Sequence, residues 1–332
     1  MKNISSIFIV ISIIFFIGCS TKEVYTPKSI KDDWKSYGDL NESISEVSLD
    51  AAMLQNGGVL LKSGAVDTSI EKSFRILGTS DGWVLSSSID GQLVIDFIGD
   101  ASMKQRFNLK KTIAGASIKD DILAVLFADN ELALYSISKK SLLLKVQGNP
   151  PVVVDDRIVN PYFMKDLVIF LTLDGKIVIV NSKLKKKLRT TIVSSQDNFN
   201  NIIYFNVIDK KLVAATGSKI LSMSKKEIRA DYEIRDIVYD GTNIYISTKQ
   251  GEIISLTSDL QVNAKVKFPF AHFLGLIVSK DKLYALEKEG YIIELSKDLL
   301  KYDVYEVDLD DGYVFVGDKK FYVDGEYISV EQ

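Results

Sequence analysis

The chain has 332 residues, 46% of them apolar, and its 41 basic side chains nearly balance its 44 acidic ones. It is long enough to bury its own hydrophobic core, and it lacks the basic excess typical of nucleic acid binding. One histidine and one cysteine leave too few ligands for zinc, haem or iron–sulfur sites.

The first eighteen residues have the composition of a secretory signal. Lys2 precedes an apolar run over residues 7–17, which is too short to span a membrane as a helix. A charged start, an apolar middle and a small residue at the end are typical of a segment that is cleaved after export. We therefore predict that residues 1–18 are a signal peptide.

The only cysteine, Cys19, directly follows this run in the sequence Phe-Ile-Gly-Cys. The sequence resembles the bacterial lipobox. The resemblance implies cleavage between Gly18 and Cys19, followed by diacylglyceryl modification and N-acylation of the cysteine. Several acyl chains on one residue anchor a protein stably to a membrane. The alternative is an ordinary signal peptide followed by a free or buried cysteine.

Residues 19–47 are polar and lack sustained periodicity. We predict that they form a flexible tether after the lipidated cysteine, with about 20 residues spanning about 25 Å. We expect Trp34 to make an ordinary surface contact, the alternative being that it docks on the folded body or the membrane. Ser20 after the cysteine implies an outer-membrane location in bacteria that sort lipoproteins by this residue.

From residue 50 onward one pattern recurs eight times: an apolar run, a tight polar or glycine turn, and a second apolar run. Such turns tolerate the positive φ values that two-residue hairpins need, and the flanks are rich in strand-forming residues. The turns begin at Asn56, Asp90, Asp129, Asp174, Gly217, Gln250, Glu289 and Gly317.

Each hairpin is flanked in the sequence by two further strand-like runs. A third apolar run precedes most copies, and a more polar fourth run follows, as in residues 183–193 and 261–268. Four strands in about forty residues are typical of a blade of a β-propeller. We therefore predict an all-β fold over residues 48–332, a β-propeller of four-stranded antiparallel blades. Eight blades are favoured over seven; seven would result if the first and last copies completed one blade.

The copies at residues 167–184, 243–260 and 282–299 resemble the quinoprotein (PQQ-like) repeat of strand, Asp/Gly turn, strand and small polar corner. A lipidated propeller of this kind resembles the BamB-like lipoproteins. This resemblance implies a non-enzymatic docking scaffold for assembling outer-membrane β-barrel proteins. It also implies the central barrel subunit as partner, and an outer-membrane location with the body facing the periplasm.

Two other functions stay open. A quinone-dependent dehydrogenase would need calcium and a base, for which residues 308–312 and His272 are the candidates. We interpret residues 308–312 as the turn between the first two strands of the last repeat, and His272 as a core residue. A surface-displayed protein that binds a sugar or a host ligand is the third possibility. The basic run at residues 183–189 fits a solvated edge strand, or a contact with anionic lipid or an acidic partner. We predict no catalytic residue, cofactor or metal.

Overall fold

The computed structural model describes residues 23–196 and 198–331. Its strands form eight sheets of four antiparallel strands, and one of these sheets carries a fifth strand. Neighbouring sheets pack against one another around a central channel, and the innermost strands of blades 1 to 3 and of blades 6 to 8 contact each other. The predicted all-β propeller is therefore confirmed, and it has eight blades. Within the described residues, helix is limited to one short 3₁₀ turn at Ala101–Met103.

Two short strands, β1 (Asp32–Asp33) and β2 (Tyr37–Asp39), precede the first blade. Each blade contains strands A to D, counted from the channel outwards. Blade 1 contains β3 (Ile44–Val47), β4 (Ala51–Leu54), β5 (Gly58–Leu61) and β6 (Gly64–Ser69). Blade 2 contains β7 (Arg75–Ser80), β8 (Trp83–Ser87), β9 (Gln92–Phe97) and β10 (Gln105–Asn108). Blade 3 contains β11 (Ile113–Lys119), β12 (Ile122–Phe127), β13 (Glu131–Ser136) and β14 (Ser141–Gln147).

Blade 4 contains β15 (Tyr162–Met164), β16 (Leu167–Leu171), β17 (Lys176–Asn181) and β18 (Lys186–Ile192). Blade 5 contains β19 (Tyr204–Ile208), β20 (Lys211–Ala215), β21 (Lys219–Met223) and β22 (Glu227–Asp231). Blade 6 contains β23 (Ile234–Tyr239), β24 (Ile244–Thr248), β25 (Glu252–Leu256) and β26 (Val262–Lys267). Blade 7 contains β27 (Phe273–Val278), β28 (Lys282–Glu287), β29 (Tyr291–Ser296) and β30 (Tyr302–Glu306). Blade 8 contains β31 (Val314–Val316), β32 (Lys320–Val323) and β33 (Glu326–Ser329), with β2 as its strand D.

The hydrophobic core lies between the blades. Each of the eight buried clusters joins two adjacent blades, and the last of them joins blade 8 back to blade 1. Strand β16 shows how the sequence achieves this. Val168 and Phe170 pack towards blade 3, whereas Ile169 and Leu171 pack towards blade 5. A strand covered on both faces must be apolar throughout, which explains its unbroken hydrophobic run.

In six blades, a glycine of the B–C hairpin accepts a backbone hydrogen bond from the chain that leaves the same blade. Gly91 has φ +86°, and its carbonyl oxygen accepts a hydrogen bond from the N–H of Leu109. Gly251 has φ +72°, and its carbonyl oxygen accepts from Phe268 in the same way. A Cβ atom at position 251 would lie 2.2 Å from the Phe268 carbonyl oxygen, so this hairpin requires glycine for space as well as conformation.

The N-terminal segment closes the ring. Strand β2 pairs antiparallel with β33, so blade 8 takes its outer strand from the start of the chain. Strand β1 pairs in parallel with β30 at the outer edge of blade 7. These pairings cover the edges of β33 and β30 and leave only the short strands β2 and β1 at the outside, and short edge strands are poor templates for pairing with other chains.

The tether predicted for residues 19–47 is therefore corrected for the part that the structure describes. Residues 23–47 lie on the propeller and provide strands β1, β2 and β3. Trp34 is 3% exposed, contrary to the expected surface contact, and its rings pack edge-on against Tyr284 and Tyr305. Tyr25 is also buried, between Phe268 and Tyr291. The residues around these two aromatic side chains are polar, so the sequence does not indicate that the aromatic side chains are buried.

The last repeat also differs from its prediction. The turn at Gly317 joins β31 to β32 and is therefore an A–B turn, whereas the other predicted turns are B–C hairpins. The B–C hairpin of blade 8 lies at Asp324 and Gly325, which lengthens the last spacing from 28 to 35 residues and restores the repeat.

Candidate functional site

The predicted cleavage and lipidation site, Gly18 and Cys19, lies outside the described residues, so acylation stays a prediction. Across the portion that the structure covers, no helix is long and apolar enough to cross a membrane.

Residues 308–312, the candidate calcium stretch, connect β30 of blade 7 to β31 of blade 8. They are therefore not an A–B turn, because the preceding apolar run is strand D of blade 7. The backbone N–H of Asp308 donates a hydrogen bond to the Tyr37 hydroxyl at 3.3 Å, so this stretch helps to hold β2. Among residues 23–196 and 198–331, no group of three or more His, Cys, Asp or Glu side chains could hold a metal ion.

His272 directly precedes β27 and lies half-buried beside the turn that joins β28 to β29. Its backbone N–H donates to a Glu287 carboxylate oxygen at 2.8 Å, and its carbonyl oxygen accepts from Lys288 at 3.0 Å. Burial raises the pKa of Glu287, although hydrogen bonds from His272 and Glu289 oppose this rise. These contacts join the blade-to-blade connection to the hairpin of blade 7.

The basic run at residues 183–189 begins in the turn before β18 and continues into that outer strand of blade 4. The prediction of an edge strand is confirmed. Lys183 pairs with Asp166 at 2.9 Å, and Arg189 pairs with Glu227 of blade 5 at 2.7 Å. Leu184 and Leu188 are exposed between these charges.

One long connection crosses the central channel. Residues 148–161 join blade 3 to blade 4, and we call them the crossing segment. Arg157 donates a hydrogen bond to the carbonyl oxygen of Arg235 in blade 6. Asn160 bridges the opposite side, because its amide donates to the Leu77 carbonyl oxygen of blade 2 at 2.9 Å and accepts from Ala116 of blade 3 at 3.0 Å. The segment therefore spans the channel between blade 6 and blades 2 and 3.

A bidentate ion pair holds the crossing segment in its conformation. The Asp155 carboxylate accepts hydrogen bonds from Arg157 Nε at 2.8 Å and from Arg157 Nη2 at 2.6 Å. Burial acts to raise the pKa of Asp155, but Arg157 outweighs it and lowers that pKa to about 2. Burial and the nearby Asp155 carboxylate raise the pKa of Asp156. Asn201 fixes the segment from blade 5's side, since its amide contacts the backbone of Asp155 and Arg157.

The channel beside the crossing segment is a cavity of about 770 Å³. Its walls come from the A strands of blades 5 to 8, together with loops of blade 1. Burial raises the pKa of Asp236, although the backbone N–H groups of Leu276 and Ile237 donate to its carboxylate. Burial also raises the pKa of Tyr204 to about 12. Burial and the charge of Arg157 lower the pKa of Arg235.

Among the loops and turns of the propeller, one face exposes more large apolar side chains than the other. Because strands alternate in direction, all B–C hairpins and blade-to-blade connections lie on one face, and the A–B and C–D turns lie on the other. We call the first the hairpin face. Its exposed large apolar residues are Ile89, Val152, Val153, Phe199, Phe270 and Tyr313, whereas the turns of the opposite face expose Met103, Leu184 and Leu300.

Part of the hairpin face is a contiguous patch. Val152 is 78% exposed and Phe199 is 56% exposed, and both lie in connections that flank blade 4. The Phe199 N–H donates to the Val153 carbonyl oxygen at 2.9 Å, which brings the two connections together. Exposed apolar groups gathered in this way are typical of protein interaction sites. In the sequence, the apolar triplet at residues 152–154, within an otherwise irregular segment, is the feature that could have predicted this patch.

No protein-family model matches the chain. Two curated relatives, the plasminogen-binding proteins PgbB of Helicobacter pylori strains J99 and 26695, are 29% and 28% identical to it. Each alignment covers 90% of this chain and 63% of the relative. The chain thus spans less than two thirds of the length of these relatives.

Solved structures share the fold at low sequence identity. BamB from Moraxella catarrhalis is 12% identical with a TM-score of 0.65, covering 89% of this chain and 98% of BamB. The C-terminal WD40 domain of Sif2 is 11% identical with a TM-score of 0.63, covering 90% of this chain and 99% of that domain. At such identities the similarity concerns the propeller fold alone.

Proposed function

We propose that this chain is a lipid-anchored, non-enzymatic protein that binds a protein ligand at the bacterial cell surface. The similarity to the PgbB proteins carries this proposal, because it extends over 90% of the chain and those relatives are plasminogen-binding proteins. Plasminogen is therefore the first ligand to test.

The hairpin face supplies the binding surface in this proposal. Its exposed apolar residues lie on loops, where side chains can vary without disturbing the strands beneath them. Removing such apolar area from water is favourable by about 25 cal/mol per Å², and this gain must exceed the entropic cost of association. The patch around Val152 and Phe199 is held in place by the crossing segment, so it is a preformed surface.

The docked N-terminal segment limits how far an acylated Cys19 could lie from the propeller. Tyr25 is buried against blades 6 and 7, and it lies six positions after Cys19 in the sequence. Six extended residues reach at most about 20 Å. In this proposal the outer edge of blades 6 and 7 stays close to the lipid surface, and the Val152–Phe199 patch, which flanks blade 4 two to three blades away, is accessible on the hairpin face.

A second candidate function is a scaffold in outer-membrane β-barrel assembly. The similarity of the fold to BamB favours it, and a propeller that faces the periplasm would use the same kind of loop surface. Since the WD40 domain of Sif2 has a comparable TM-score, the fold alone does not distinguish the two functions.

Two measurements test the proposal. Purified residues 23–331 should bind plasminogen in a surface plasmon resonance experiment, and protease added to intact cells should degrade the full-length protein. Protection from protease in intact cells, release of protection on lysis, and reduced outer-membrane β-barrel levels after gene deletion would instead support the scaffold. Failure to bind plasminogen despite surface exposure would reject this ligand.

A further inference from the structure

In five blades, a bulge in strand A leaves one residue without a pairing partner on strand B. Blades 1, 2, 3, 6 and 7 each skip one residue where strand A pairs with strand B. In blade 6, Ile234 pairs with Thr248 and Asp236 pairs with Ser247, which leaves Arg235 between them without a cross-strand partner. Bulges commonly re-aim a side chain next to a binding site. Arg235 lines the central cavity.

Arg235 carries a positive charge that the described residues do not neutralise. Within that part of the chain its side chain makes no hydrogen bond and no ion pair, and its Nε atom is buried. The neighbouring Arg157 is already paired with Asp155. Lys62, on another wall of the cavity, is paired with Asp50, with 3.7 Å between Lys62 Nζ and Asp50 Oδ1. An unpaired guanidinium in a partly buried site is costly unless an anion accompanies it.

The carboxyl groups that line the cavity do not pair with the Arg235 guanidinium. Asp236 accepts hydrogen bonds from Leu276 N at 2.7 Å and Ile237 N at 2.8 Å, and neither of its oxygens contacts Arg235 within hydrogen-bond distance. Asp156 also lines the cavity and makes no ion pair among the described residues. Asp50 and Asp318 line the cavity as well, so four carboxyl groups oppose a ligand with two negative charges, and a ligand with one charge is the better match for the single unpaired guanidinium.

The remaining walls suit an apolar or aromatic group. Tyr204, Phe205 and Leu274 line the cavity beside Arg235, and the buried Tyr204 hydroxyl has no hydrogen-bond partner in the described residues. The volume of about 770 Å³ is within the range of sites that bind small molecules. A planar carboxylate matches the fork of an arginine better than other anions of one charge do.

We propose that the central cavity binds a small monocarboxylate with an apolar or aromatic substituent, and that Arg235 donates the hydrogen bonds that hold its carboxylate. The apolar substituent lies against the Tyr204–Phe205 wall. This site is separate from the hairpin-face patch and does not depend on the proposed plasminogen binding.

A pair of matched probes tests the proposal with the purified residues 23–331. N-acetylphenylalanine carries the carboxylate and the aromatic ring, and N-acetylphenylalanine amide lacks only the charge. In isothermal titration calorimetry, supported by ligand-observed NMR, we expect the acid to bind at least tenfold more tightly than the amide. Equal binding of acid and amide, or binding of neither, would overturn the proposal. Tighter binding of inorganic phosphate than of the acid would overturn the assignment to a monocarboxylate.

Two substitutions locate the interaction. Arg235→Gln should remove the preference for the acid over the amide, and Arg235→Lys should restore part of it. Arg229→Gln, on the exposed outer strand of blade 5, is the matched control and should bind the acid as the wild type does. An unchanged preference in folded Arg235→Gln would contradict the role of Arg235. If that variant does not fold, as judged by circular dichroism, the comparison of acid, amide and phosphate on the wild type still decides whether the site exists.

Discussion

The indole Nε1 of Trp34 donates a hydrogen bond to the carbonyl oxygen of Ser329 at 2.9 Å, across 295 positions of sequence. The bond joins the segment between β1 and β2 to the end of β33. It therefore belongs to the closure of the ring, together with the pairing of β2 and β33.

Trp34→Ala should destabilise the whole propeller. The substitution removes a nearly fully buried aromatic side chain and leaves a cavity between blades 7 and 8, for which losses of about 3–5 kcal/mol are typical. Urea denaturation of residues 23–331, followed by circular dichroism, measures this loss. Trp83→Ala is the control, because Trp83 is only half-buried, and it should cost less. Equal losses for the two variants would contradict the closure role of Trp34.

Removal of residues 23–41 should lower the melting temperature more than removal of residues 23–28. The longer deletion removes β1, β2 and Trp34, and it leaves β33 as an open edge that can pair with other chains. The shorter deletion removes only the contacts of Tyr25 and its neighbours. Thermal melting and size-exclusion chromatography of the two shortened chains give the comparison. A 42–331 chain that stays monomeric with an unchanged melting temperature would show that closure contributes nothing to stability.

The sequence predicts the hairpins well because their signals are local. The turn at Asp90 and Gly91 and the apolar flanks of β8 and β9 lie within sixteen residues of one another. Strands β1 and β2 could not be found in this way, since their short polar sequences become strands only through partners almost 300 residues away. The prediction of a B–C hairpin at Gly317 was wrong, because this turn has the composition of a hairpin but joins strands A and B. Arg235 is visible as a polar residue in an apolar run, but its position in the cavity depends on a bulge.

Asp155→Asn should destabilise the protein at neutral pH and have a smaller effect in acid. The folded pKa of Asp155 is about 2, below its ordinary value near 4, so its charged form stabilises the fold. That contribution, about 2 kcal/mol, is complete above pH 4 and is lost as the pH falls through the window from about 4 to about 2. Asp156, whose pKa is raised, acts with the opposite sign and offsets part of the loss.

Urea midpoints of wild type and Asp155→Asn at pH 7 and at pH 2.5 measure this dependence. Asp303→Asn is a matched control, because the Asp303–Lys31 pair is exposed and such pairs contribute little to stability. A difference between wild type and Asp155→Asn that stays the same at both pH values would reject the ion pair as its source.

Cys19→Ala should leave an unprocessed or soluble protein, since no acylated residue remains to hold the propeller on a membrane. Membrane fractionation and metabolic labelling with a fatty acid test this expectation. Ser20→Ala, which keeps the cysteine, should still take up the label. Wild-type levels of membrane attachment in the cysteine variant, or no label in the wild type, would reject the lipoprotein hypothesis.

The double substitution Val152→Ser with Phe199→Ser should weaken plasminogen binding at least tenfold. Both side chains are largely exposed in the free protein, so their replacement removes apolar area from the interface and leaves the core unchanged.

Leu184→Ser with Leu300→Ser is the matched control on the opposite face, where both side chains are equally exposed. Surface plasmon resonance should show wild-type binding for this pair, and circular dichroism should show unchanged melting temperatures for both pairs. Loss of binding in the control pair alone would move the binding site to the A–B and C–D turns. Equal binding by all three proteins would show that plasminogen does not bind either set of loops through these apolar side chains.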